Sequence, residues 1–207
     1  MPSPARQRNA RGCGNLLREE ILSAATELLD AATLESEVTL RRIACAVGIT
    51  APAIYAHFED RETILAEIVE RSWQQVVADI RLQAATGRTP RERLHHGCRT
   101  YVAFAERFPM RYALMTQAST QAPAAATALE VVTQALANCR TAPGLLAPRD
   151  AARVAATLST ALHGVAMLNR TGVPSMWLTG ISADEVIATL VDAAIDQQNR
   201  TEPQETP

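Results

Sequence analysis

Residues 39–58 read TLRRIACAVGITAPAIYAHF, and the reading of this stretch decides the fold. Two helices cross steeply over a three-residue turn only when a small residue sits where they touch and a Gly supplies the turn. Ala44 and Gly48 stand at those positions. Ile43, Val47, Ile49 and Ile54 then form an inner face, and Thr50 caps a second helix whose N-terminus points outward. This is the layout of a helix-turn-helix, in which the second helix enters the major groove of a duplex. An ordinary helical hairpin is the alternative that the spacing alone leaves open.

Working outward, the neighbours are helical as well. Leu17, Ile21, Ala24 and Leu28 recur at intervals of 4, 3 and 4, with Glu19, Glu20, Glu27 and Asp30 on other faces, which predicts an amphipathic helix over 16–33. Thr39 caps one short helix, Thr50 another, and Asp60 a long one running to about 85. Thr89-Pro90-Arg91-Glu92 is a capping box with Pro at the first helical position, opening a helix to about 106. Pro109 forces a break, a short helix follows near 110–118, and another runs to about 140. A helix over 149–170 stops at Gly172 and Pro174, and Ser182 with Glu185 makes a second capping box for a last helix to about 198. The sum is an all-α fold of about nine helices with no strand.

Composition agrees. The 207 residues are 47% hydrophobic, 20% charged and only 4% aromatic, with Ala the most frequent type, which excludes disorder and collagen-like repetition and favours helix over sheet. Net charge is -2, so the chain is not basic overall, yet residues 1–18 carry Arg6, Arg8, Arg11 and Arg18 and no acid. A basic arm precedes an acidic body. The arm is read either as a solvated tail or as a contact to DNA backbone or minor groove. The cysteines at 13, 45, 98 and 139 form no CxxC pair and have no His at metal-ligand spacing, so free thiols in a cytoplasmic protein are expected, with no metal or cofactor. No signal peptide is read at the N-terminus. The uncharged stretch between Arg153 and Arg170 holds Thr157, Ser159, Thr160, His163 and Asn169 and falls short of the ~20 residues that span a bilayer, so it is read as a buried helix with no membrane partner.

The run Gly48-Ile49-Thr50, Ile54-Tyr55-Ala56-His57-Phe58, Asp60-Arg61-Glu62 and Leu65, following Thr39, Ile43 and Ala44, resembles the N-terminal domain of TetR-type (TetR/AcrR) transcriptional regulators. The resemblance covers about 16–70, and the all-helical remainder fits the same family. Two departures bear on detail. The family usually has a Gly in the loop after its first helix, where this chain reads Thr33-Leu34-Glu35-Ser36-Glu37, so the loop must turn by other means. Arg61 stands where a Lys is common, which keeps the charge.

The expected organisation is therefore a basic arm over 1–15, a helix-turn-helix domain over 16–60, a larger helical domain over 61–200 and a disordered tail from 201 to 207. Thr39 and Thr50, at helix N-termini, are candidates for phosphate contact, joined by Tyr55, His57 and Arg61. Tyr55 as a core tyrosine and His57 as an incidental surface residue are the alternatives. Ala51, Pro52 and Ala53 begin the recognition helix without a side-chain donor, limiting readout there to apolar contact with thymine methyls. Arg41 is expected on a guanine edge and Arg42 on phosphate. The partner is double-stranded DNA with a palindromic operator.

The family resemblance also implies a homodimer and a small-molecule effector. Val154, Leu158, Ala161, Val165 and Leu168 form an apolar stripe on the helix 149–170, and Ile187, Leu190 and Ala194 lie on the last helix, a combination read as a four-helix interface. Leu162-His163-Gly164 resembles a tryptophan-His-Gly signature of one subgroup of C-terminal domains, with Leu for Trp. Tyr101, Phe104, Phe108, Tyr112, Met115, Met167 and Trp177 concentrate the later aromatic and Met side chains, and are read as the lining of an apolar cavity for a hydrophobic or aromatic ligand, with filled core as the alternative. Catalysis is not expected: adjacent His95 and His96 point about 100° apart on a helix and cannot share a ligand. A helical lipid- or small-molecule-binding protein without DNA binding is the competing class, and it gives no reason for Thr39, Thr50, Tyr55, His57 and Arg61 to gather on two short helices.

Overall fold

A computed structural model describes residues 14–117, 123–140, 148–169 and 176–199. The expectations for the arm at 1–13, the stop at Gly172 and Pro174 and the tail from Thr201 lie outside the described residues. Within them the chain forms nine α-helices, two short 3-10 turns and no strand.

The first helix, α1 (Gly14–Ala31), buries Ile21, Leu22, Ala25 and Leu29 completely or nearly so. Next come α2 (Leu40–Val47) and α3 (Ala51–Ile54), which with α1 form the N-terminal three-helix unit. The long α4 (Arg61–Ala84) packs on α1 at its start and on α5 (Pro90–Arg107), α6 (Pro109–Met115) and α7 (Pro123–Ala137) further along. The last two, α8 (Pro148–Asn169) and α9 (Ala183–Asn199), close the bundle against α5 and α7. α8 is the one described helix long and apolar enough to cross a membrane by length and composition, over Ala151–Asn169, and here it packs on α5, α7 and α9.

The capping signals act as written except at Thr50, whose side chain makes no capping bond. Asp60 Oδ1 accepts from the Thr63 N–H at 2.7 Å, starting α4. Thr89 and Glu92 exchange reciprocal bonds at the start of α5, as do Ser182 and Glu185 at α9. Phe108 separates α5 from α6, and Pro109 takes the first position of α6, where its missing N–H costs nothing.

α1 is held to α4 by packing and by ions. Arg18 forks onto the Glu67 carboxylate and its guanidinium lies 4.7 Å from the centre of the Phe58 ring, while Arg71 reaches both Glu19 (2.5 and 2.7 Å) and Glu67 (2.8 Å). Exposed pairs contribute about 0–1 kcal/mol each, whereas each fully buried Ile or Leu contributes about 1.5–3 kcal/mol. Burial therefore holds α1, and the ion network adds a smaller share. Arg18 belongs to this network and not to a free basic arm.

One sequence expectation needs correction here. Val154, Leu158 and Val165 of α8, with Ile187 and Ala194 of α9, are 2–7% exposed in a single protomer, so they form the protomer's own core and leave nothing for a partner. Ala161, Leu168 and Leu190 are half-buried. An apolar stripe in sequence shows that a face is buried without saying against what.

Candidate nucleic-acid interface and effector cavity

The helix-turn-helix builds itself from local rules. Thr39 Oγ1 accepts from the Arg42 N–H and starts α2. α2 ends at Gly48, whose φ of 74° and ψ of 34° lie in the left-handed region that Gly enters without a Cβ penalty. The Ile49 N–H then reaches Ala44 O at 2.9 Å and the Gly48 N–H reaches Cys45 O at 3.2 Å, the paired bonds of a Schellman turn. Ile43, Ala44, Ile54 and Phe58 are buried beneath. Opposite them Thr39, Arg41, Arg42, Thr50, Pro52 and Tyr55 are exposed, with Ala51, Ala53 and His57 partly so. Tyr55 is 59% exposed, which removes the reading of a core tyrosine. Thr50 occupies the cap position of α3 but makes no side-chain capping bond, leaving its hydroxyl available.

The cations on this face differ in what else they hold. Arg41 has no hydrogen-bond or ion partner among the described residues. Arg42 donates to Glu37 O at 2.9 Å and stays half exposed. Arg61 is tied inward: Nε donates to Val38 O at 2.6 Å, and Nη2 to Glu35 O at 2.7 Å and to the Glu35 carboxylate at 3.0 Å. Its first job is to close the loop that lacks a glycine, and the geometry offers a phosphate little of this guanidinium. The Glu37 carboxylate completes the loop by accepting the Leu34 and Thr33 N–H groups, and those two bonds hold its pKa below the ordinary range.

The aromatic and Met cluster is mostly core. Phe104, Tyr112 and Met115 are buried by neighbours and Met167 is exposed, while the Trp177 side chain lies outside the described set. Among the described side chains of the cluster, Tyr101 lines a cavity of about 500 Å³ between α4, α5, α7 and α8. Its other walls are Trp73, Ile80, Arg81 and Ala84 of α4, Arg93, Leu94, Gly97 and Cys98 of α5, the α7 residues Ala125, Ala128, Leu129, Val131, Val132 and Ala135, and Ala156, Ser159, Thr160 and Leu162 of α8. Space opens where side chains are small, so the signal in the sequence was the alanine register of α7, not the large residues. Burial pushes the Cys98 thiol up to about 12, keeping it protonated.

From the cavity a polar chain leads away. Tyr101 Oη lies 3.0 Å from Tyr112 Oη, which lies 2.7 Å from His163 Nδ1 on α8. Next to Tyr112, the buried Arg111 forks onto Asp30 of α1 at 2.7 and 2.9 Å, donates to Gln75 of α4 at 3.0 Å, and stacks on Phe108 at 3.6 Å. α6 thus joins the cavity wall to the N-terminal unit. His95 and His96 diverge as expected: His95 faces Asp184, and His96 meets Thr86 at 2.9 Å.

Comparison with known proteins places this architecture. The family described as "Tetracyclin repressor-like, C-terminal domain" matches residues 94–197, half of the chain, and "Bacterial regulatory proteins, tetR family" matches residues 21–68. A solved structure of a protein of unknown function from Rhodococcus sp. RHA1 is similar in fold, with a TM-score of 0.72 and 23% identity over 94% of this chain and 98% of that one. BioQ solved with its double-stranded DNA operator is similar at a TM-score of 0.60 and 20% identity, covering 86% and 98% of the two chains. The nucleoid occlusion factor SlmA of Vibrio vulnificus is 29% identical over 92 residues, 44% of this chain. That match spans about half the length of the curated relative, 47%. With its helix-turn-helix over α2 and α3 and its helical C-terminal half, the chain belongs to the tetR family of bacterial regulatory proteins, which are DNA-binding transcriptional regulators.

Proposed function

We propose that two copies of this chain bind a palindromic operator as a repressor and release it when a small apolar molecule enters the cavity between α4, α5, α7 and α8. The observation that carries the DNA half is the exposed face of α2 and α3, with Arg41, Thr50 and Tyr55 standing over a buried Ile43, Ala44, Ile54 and Phe58. Arg41 reads a base edge, Thr39, Thr50, Tyr55 and His57 position the backbone, and the short Ala51-Pro52-Ala53 segment makes apolar contact in the major groove. Arg42 adds a phosphate contact from its exposed side. The role is non-catalytic: apart from the cations Arg81 and Arg93, the described cavity wall is made of neutral groups, with Cys98 as a thiol that stays protonated.

Pairing uses the side of α8 that neither the core nor the cavity occupies, Thr157, Ala161, Gly164 and Leu168, with Val186, Leu190 and Ala193 of α9. A two-fold axis there matches a two-fold operator.

The test is selection of bound fragments from the DNA flanking the protein's own reading frame, repeated with Tyr55→Ala and Arg41→Ala. Enrichment of one palindromic fragment, weakened by both substitutions, is expected. Binding without fragment preference, or unchanged by either substitution, overturns the assignment of this face.

A further inference from the structure

We propose that the cavity takes an amphiphilic monocarboxylate, with its apolar body between α4, α5, α7 and α8 and its carboxylate on Arg81 and Arg93. This rests on the effector reading above and adds the chemical class of the ligand.

Arg81 and Arg93 are the charged side chains among the described residues of the cavity wall, and every other lining group is neutral. Both also line the adjoining surface groove with Ala84, Val131 and Ala135, which puts them at the mouth, whereas Trp73, Tyr101 and Leu162 belong to the cavity alone. Neither guanidinium is neutralised. Arg93 donates its Nε to Gly87 O at 3.0 Å, which fixes the side chain, and has no carboxylate partner among the described residues; Arg81 has no ion or hydrogen-bond partner there. The groove contributes one acid, Glu130, so the mouth carries one positive charge over. That balance suits a monoanion better than a phosphate dianion, and guanidinium groups take a carboxylate through paired N–H bonds.

Volume sets the body. The cavity of about 500 Å³ equals the share of about 17 liquid waters at about 30 Å³ each, a space for a ligand with a similar number of heavy atoms. Leu94, Leu129, Val132 and Leu162 offer that body apolar contact, and Tyr101, Ser159 and Thr160 supply few polar handles. A chain of about a dozen carbons ending in a carboxylate meets both requirements.

The experiment uses the full-length protein carrying Trp177→Phe, which leaves Trp73 of the cavity wall as the remaining tryptophan. Its fluorescence is followed during titration with dodecanoate and, separately, with dodecanol. Dodecanoate is expected to bind about tenfold or more tighter than dodecanol, the scale of a charge-assisted hydrogen bond. The gap is expected to close in Arg81→Gln/Arg93→Gln, whose sites are exposed, so helical content stays unchanged and the melting temperature falls only slightly with the loss of the Arg93–Gly87 hydrogen bond. Ala128→Phe, which fills the space, is expected to abolish binding of both. Equal affinity for acid and alcohol, or a gap that survives the double substitution, overturns the carboxylate while leaving an apolar effector in place. Binding untouched by Ala128→Phe overturns the location. Binding of neither probe overturns the proposal together with the apolar effector.

Discussion

A single arginine shows how an identity legible in sequence changes its job in three dimensions. Arg61 sits where the family carries a cation, but its Nε and Nη2 hold Val38 O and Glu35, the groups that a glycine-free loop must fasten. Arg61→Ala leaves acceptors in that loop unpaired, and a cost of about 1–3 kcal/mol is expected as a lowered melting temperature. The slope of operator affinity against salt is expected to stay the same, since no phosphate contact is lost. A slope reduced by about one per subunit would return Arg61 to the interface. Arg41→Ala is expected to behave in the opposite way, with unchanged stability and a loss of about 1–3 kcal/mol confined to the operator. Equal weakening on random DNA would make Arg41 a phosphate contact instead.

At the scale of elements, two helix contacts yield distinct predictions. α1 is fastened to α4 through Glu67, whose carboxyl the Arg18 guanidinium, aided by Arg71, holds below its ordinary value of 4.5 against the opposing effect of partial burial. A depressed carboxylate contributes stability that is present above its unfolded value and lost as pH falls through the folded one. The melting temperature is therefore expected to fall below about pH 4.5, and Glu67→Gln is expected to flatten part of that fall, as read by thermal scans across pH 3–6. An identical pH profile in the variant would place the acid sensitivity elsewhere. The second is the pairing proposed for the outer side of α8. A Cβ at Gly164 meets nothing within 4 Å in the protomer, so Gly164→Arg is expected to keep the fold and disrupt the dimer in sedimentation. Val165→Glu, one residue on and buried, is expected to lose the fold itself. A dimer intact in Gly164→Arg would move the pairing surface.

At the scale of the whole molecule, two connections run from the cavity to the N-terminal unit. One is covalent, along α4 from Trp73 in the cavity wall to Asp60 at its cap. The other runs through Tyr101, Tyr112 and the neighbouring Arg111 to Asp30 of α1. Any effector changes operator affinity only by its differential binding to two arrangements of these elements, typically 1–3 kcal/mol or about 5–150-fold, and the operator must weaken the effector by the same factor. Calorimetry with dodecanoate in the presence and absence of operator is expected to show that reciprocity. Asp30→Asn removes the charge that Arg111 holds and is expected to lower the coupling factor as well as the melting temperature. A coupling factor unchanged in Asp30→Asn would leave α4 as the sole route, and equal ligand affinity with and without operator would mean that the cavity is not an allosteric site.

Helix existence and helix ends followed from the sequence alone because they depend on contacts three or four residues apart: Thr39, Asp60, Thr89 and Ser182 cap their helices, and Gly48 turns where only a residue without Cβ turns easily. The helix-turn-helix face was legible for the same reason, since Ile43 and Ile54 bury it from one side and Tyr55 is left on the other. Three things waited for the tertiary structure. Whether the apolar stripe of α8 meets its own protomer or a partner depends on the placement of α5, α7 and α9, which share no local signal with it. The position of the cavity is a property of missing atoms, set where Gly97 of α5, Ala125 and Ala128 of α7 and Ala156 of α8 line one space. Arg61, Arg111 and Glu67 find partners 23 to 81 residues away, and no periodicity in a chain encodes which distant carboxylate or carbonyl a guanidinium will meet; packing of the helices decides it.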